Sequence, residues 1–143
     1  MDRVNVTKPW RSRLTLCTIK DTYMVVPAPE KRVPLVFFRT ESGSEPVREW
    51  LLELPKADRR ALGVGLKELE FGWPIGMPLC RAMGAGLFEL RVSLPSRRIA
   101  RVLVCANDDR LVALHGFVKK SQKTPAGDLD LARKRKRQME KAR

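Results

Sequence analysis

Residues 87–125 constrain the fold more than any other stretch, because they lay out as three consecutive strands closed by a block of lysines. In the first run Phe88, Leu90, Val92 and Leu94 alternate with Leu87, Glu89, Arg91 and Ser93. Successive side chains of a strand point to opposite faces. This period of two therefore predicts one apolar face and one carrying Glu89 and Arg91. Pro95-Ser96-Arg97 interrupts the run, and residues 98–106 resume it with Arg101 inside an otherwise apolar stretch. Asn107-Asp108-Asp109 is a second turn signal, and residues 111–118 form a third run. Connections this short join antiparallel neighbours, so the segment reads as a meander. With one face on the core, the other is left for its basic residues.

Upstream, residues 33–40 (VPLVFFRT) form a compact β-branched and aromatic run, predicted to be a buried strand. Ser44 is a suitable helix N-cap, with Glu45 and Pro46 favourable in the turn that follows. Val47, Trp50, Leu51 and Leu54 then fall on one helical stripe. A second helix, over residues 56–71, is predicted from Ala57, Ala61, Leu62, Val64, Leu66 and Leu69. Its Gly63 and Gly65 each cost about 1 kcal/mol relative to alanine. Residues 72–86, rich in glycine and proline, read as a loop that carries Arg81 past the free sheet face. After the meander, Thr124 as N-cap and Pro125 at the first position open a last helix. Leu129, Ala132 and Met139 offer that helix a thin apolar face, and residues 133–137 are all basic. The predicted class is α+β. A small antiparallel sheet, the first strand plus the three-strand meander, carries a two-helix hairpin on one face, and a basic C-terminal helix follows. Residues 1–32, punctuated by Pro9, Pro27 and Pro29, read as an N-terminal extension before a domain at 33–143.

The formal charge of +13 sits at the two ends. Residues 1–32 carry seven basic and three acidic side chains, and residues 119–143 carry ten and three, while the body between them is almost balanced. Basic ends on a neutral body suit a polyanionic partner, nucleic acid before membrane; a solvated basic tail has the same composition. Cys17, Cys80 and Cys105 are odd in number and lack a CxxC spacing. That favours a reduced, cytoplasmic setting, and with one histidine they make no zinc set. No apolar run approaches the roughly 20 residues that span a bilayer, and no cofactor motif is present.

Three motifs, in order and at compatible spacing, resemble the RelE/HigB-type toxin superfamily of toxin–antitoxin systems. The nearest likeness is its phage-derived Gp49-like branch. They are Gly86-Leu87-Phe88-Glu89-Leu90-Arg91, then Arg101-Val102-Leu103-Val104, then Leu114-His115-Gly116-Phe117-Val118-Lys119-Lys120 running on to Thr124-Pro125. The likeness spans residues 35 to the C-terminus. It implies a RelE-like fold and an mRNA endonuclease acting on ribosome-bound mRNA, held silent by a cognate antitoxin, expected to be a helix-turn-helix protein. By motif position it implies catalytic roles for Arg91, Arg101 and Lys120. Glu89 stands where the best-known member has a basic residue, and that member's C-terminal tyrosine has no counterpart, since Tyr23 is the one tyrosine here.

The residues carry part of this chemistry independently. Cleavage of RNA by its own 2′-hydroxyl needs a base for that proton, charge stabilisation at phosphorus and a proton for the departing 5′ oxygen. His115, the single histidine, is the candidate base; it would serve equally as a packed strand residue. Glu89 is a second candidate base or an ion-pair partner of Arg91 or Arg101. Lys119, Lys120 and Lys123 crowd one strand end, where like charges repel unless a polyanion joins them. Arg81 and Arg133 complete the expected phosphate-binding set. Two other readings stay open: a basic nucleic-acid-binding module without catalysis, and a superfamily toxin aimed at another target such as DNA gyrase.

Overall fold

The structure is a computed structural model and describes residues 14–19, 22–27, 33–119 and 124–142. The chain divides into two units, Met1–Glu30 and Lys31–Arg143. In the first, β1 (Leu14–Ile19) and β2 (Thr22–Pro27) pair as an antiparallel hairpin. The second contains β3 (Leu35–Phe37), α1 (Pro46–Glu53), α2 (Lys56–Gly72), β4 (Cys80–Gly84), β5 (Leu87–Ser93), β6 (Ile99–Asn107), β7 (Arg110–Val118) and α3 (Ala126–Lys141). Among the described residues no helix is long and apolar enough to cross a membrane.

The five strands lie in the order β3-β7-β6-β5-β4. The three runs of the meander pair antiparallel as expected. Two features depart from an antiparallel sheet of four. β3 joins β7 in parallel, a pairing that needs a long crossover, and α1 with α2 begins that crossover. The segment read as a loop contains β4, which extends the sheet beyond β5. Its sequence CRAMG gives no strand signal because only Cys80 is fully buried in it; an edge strand is held by its backbone bonds rather than by an apolar face.

One face of the sheet carries the helical hairpin. Val47, Leu51 and Leu54, together with Leu62, Leu66 and Leu69, pack on Leu90, Val92, Ala100, Val102 and Val104. Pro46 sits at the first helical position, but Ser44 does not cap α1. Its hydroxyl bonds Thr40, 2.8 Å away, and Glu49 instead accepts the Glu45 N–H at 3.1 Å. In α2 the buried Asp58 accepts the Ser96 N–H at 3.3 Å and Arg98 Nη2 at 3.4 Å, tying the β5–β6 turn to the helix.

The other face is not free. α3 lies against it, with Leu129, Ala132 and Met139 meeting Leu103, Cys105, Leu114 and Phe38. A thin stripe suffices because the sheet supplies most of the apolar surface and a polar anchor helps. Arg135 donates to the Leu114 carbonyl at 2.8 Å, with its guanidinium 5.8 Å from the centre of the Phe38 ring. The helix starts at Ala126, one residue later than expected, with Pro125 at the cap position.

Candidate functional site

The α3-side face of the sheet carries most of the predicted site. Strand register sets Arg81, Glu89, Leu103 and His115 side by side across β4, β5, β6 and β7. The next row holds Arg91, Arg101 and Phe117. Neighbouring strands are about 4.8 Å apart, so the first row spans roughly 14 Å. A bulge puts His115 on this face. Leu103 pairs with His115 and Val104 with Ala113, so Leu114 is the extra residue of β7. Leu114 and His115 consequently both turn towards α3. This is why alternation along the third run could not assign the histidine a face.

Arg101 and Glu89 are the polar centre of this face, 1% and 0% exposed. Arg101 Nη1 donates to Glu89 Oε2 at 3.1 Å and to the Thr124 hydroxyl oxygen at 3.0 Å, and that hydroxyl donates to Glu89. Charges are costly to bury unless paired and hydrogen-bonded, and Glu89 meets that condition for Arg101. It also relieves a cross-strand conflict. Arg91 and Arg101 stand directly opposite each other, where like charges repel, and Glu89 Oε1 lies 3.9 Å from Arg91 Nε. Thr124, expected to cap α3, spends its hydroxyl on this pair and thereby ties the start of the helix to the sheet.

Arg91 is 25% exposed and opens into a groove of about 630 Å³ walled by Ile75, Met77, Leu79, Ser93 and Ile99. Arg81 is exposed on β4. His115, 16% exposed, has its Nε2 2.6 Å from Oδ1 of Asp128 in the first turn of α3, and Asp128 is 27% exposed. The imidazole stacks on Phe117, centroids 5.6 Å apart at 23°. Lys119 is half-buried where β7 ends, its N–H donating to the Ile99 carbonyl at 2.6 Å. Lys120 and Lys123 lie outside the described residues. Arg133 is half-buried on α3, 3.5 Å from Asp130.

The structure thus gathers Arg91, Arg101 and His115 on one face, with Arg81 at its β4 edge and Arg133 away from it on the helix. Three participants were missed from the sequence: Thr124, Asp128 and Arg135. Thr124 carries only a helix-cap and motif signal in the sequence, Asp128 only that of an acidic residue at a helix start, and Arg135 only that of one member of a basic run. Burial lowers the pKa of Arg135. Burial also raises the Cys80 thiol, and the Cys105 thiol to about 11, which leaves both poor nucleophiles at neutral pH. Among the described residues no group of three His, Cys, Asp or Glu side chains could share a metal ion.

Against known proteins, the family model described as Phage derived protein Gp49-like (DUF891) matches residues 49–137. The match runs from α1 to the last turns of α3 and includes every described site residue. No curated protein matches the chain.

Proposed function

The chain belongs to the phage-derived Gp49-like family of the RelE/HigB-type toxin superfamily, and on that premise we propose that it is an mRNA endonuclease acting on ribosome-bound mRNA. The family is one of toxin–antitoxin toxins, so a cognate antitoxin is the partner it implies. A helix-turn-helix protein is the form we propose for that antitoxin. The observation that carries the reading is a single histidine, the half-buried Arg91 and the exposed Arg81 on one sheet face.

His115 takes the 2′-hydroxyl proton as that oxygen bonds to phosphorus; the bond from phosphorus to the 5′ oxygen breaks, and this oxygen takes a proton from water or a nearby ammonium. Arg91 and Arg81 meet the phosphate oxygens with charge-assisted bonds, with Lys119, Lys120 and Lys123 adding positive charge. Arg101 contributes from below, holding Glu89 and Thr124 in place. The ribosome aligns the 2′ oxygen for in-line attack, so this small set of groups suffices. Arg133 and the other cations of α3 steer the protein to RNA.

Mapping mRNA 5′ ends after induction tests the proposal. New ends inside translated frames are expected, and the purified protein should cut a message on programmed ribosomes but leave the same message intact when it is free in solution. Growth arrest without new ends would overturn it and favour a different target such as gyrase.

A further inference from the structure

We propose that Asp128 is the positioning residue that fixes the tautomer of His115, placing the proton on Nε2 and the basic lone pair on Nδ1. This rests on the reading of His115 as the proton acceptor of the endonuclease. An ionised carboxylate only accepts hydrogen bonds, so a ring nitrogen 2.6 Å from Asp128 Oδ1 must carry the hydrogen. The neutral imidazole then has its lone pair at Nδ1. Which nitrogen is basic is thereby set by a residue that never touches RNA.

Three observations separate this role from that of an ordinary acidic residue at a helix start. Such a residue stabilises the helix through its dipole from any rotamer in the first turn, with no need of a partner on the sheet. Asp128 instead reaches His115 across an interface that is anchored on both sides. Ala132, one turn on, is buried, and Arg135 holds the carbonyl of Leu114, the residue beside the histidine. The ring is also fixed in plane by its stack on Phe117. Asp130, by contrast, is exposed and among the described residues pairs with Arg133 on the same helix. It is the natural control.

His115 is the one histidine in the chain, so a protein labelled with ¹⁵N-histidine reports a single ring without assignment. With the ring in its neutral form, the intact chain is expected to show a protonated Nε2 and an Nδ1 with the signature of a bare lone pair. Asp128→Asn should give mixed tautomers, because an amide both donates and accepts, while Asp130→Asn leaves the ring unchanged. On programmed ribosomes Asp128→Asn is expected to lower kcat by about 10²-fold with KM little altered, the range for loss of a positioned proton acceptor. A proton on Nδ1 in the intact chain overturns the proposal with no variant needed. An Asp128→Asn protein that keeps both tautomer and kcat overturns it as well. An Nε2–H ring in a chain that cleaves no RNA would leave the tautomer assignment standing and defeat the endonuclease reading instead.

Discussion

Glu89 and Arg101 set the terms on which single residues of this site can be tested. Both are buried, and deleting one breaks a buried charge pair together with its hydrogen bonds. Glu89→Ala is expected to cost about 3–5 kcal/mol in urea titration, whereas the double change Glu89→Leu with Arg101→Met should cost far less. If the double variant is as unstable as the single, hydrogen bonding through Thr124 rather than charge pairing holds the network. It follows that Arg101→Ala, the substitution motif position suggests first, mixes folding with function. Arg91→Ala is the cleaner probe. Its side chain is partly exposed, so stability should stay within about 0.5 kcal/mol. Cleavage should drop by roughly 10- to 100-fold, the worth of one hydrogen bond to a charged group. Unchanged cleavage in this variant would remove Arg91 from the site.

At the scale of elements, α2 shows how one residue type plays opposite parts within a single turn. A Cβ on Gly63 would meet nothing within 4 Å, whereas one on Gly65 would lie 2.5 Å from Cγ2 of Val92 on β5. Gly65 is therefore a point of close approach between helix and sheet. Gly63→Ala should stabilise the protein by about 0.5–1 kcal/mol through helix propensity alone. Gly65→Ala should destabilise it by about 1–3 kcal/mol through overpacking. Thermal melts of the two variants moving in the same direction would contradict this account of the interface. Gly116 of β7 has the same relation to Trp50 of α1, whose ring would stand 2.4 Å from an added Cβ. The glycine in the His115-Gly116-Phe117 motif is thus a packing requirement on the hairpin side, while its two neighbours face α3.

For the whole molecule, the charge excess does not follow the division into units, since the balanced body and the basic C-terminal end belong to the same one. Residues 1–30 form one unit and 31–143 the other. The family match begins only at residue 49. A chain starting at residue 33 is expected to keep its thermal midpoint within about 4 °C of the full-length protein and to retain cleavage. Loss of folding or of activity on that truncation would make the first 32 residues part of the working domain. With a net charge of +13, binding to ribosomes should weaken steeply as salt rises, since each phosphate contact releases condensed counterions. A salt-independent affinity would mean that the basic ends do not contact RNA.

The sequence by itself determined what depends on local pattern. The alternation of Phe88, Leu90, Val92 and Leu94 set the core face of β5; the stripe Val47, Leu51 and Leu54 set the buried side of α1; and three motifs in order located the family. Periodicity and turn chemistry act over a few residues, so they are visible without a fold. Only the tertiary structure decided the rest. It showed an edge strand in CRAMG, held by backbone bonds that no side-chain pattern records. It showed α3 covering the face that a meander was expected to leave open, because the apolar partners of Leu129 and Ala132 lie on β6 and β7, 15 to 29 residues earlier in the chain. It paired Glu89 with Arg101 across 12 residues and His115 with Asp128 across 13. A bulge turned His115 towards that helix by shifting register by one residue, a change that alternation along the strand cannot reveal because it breaks the alternation itself.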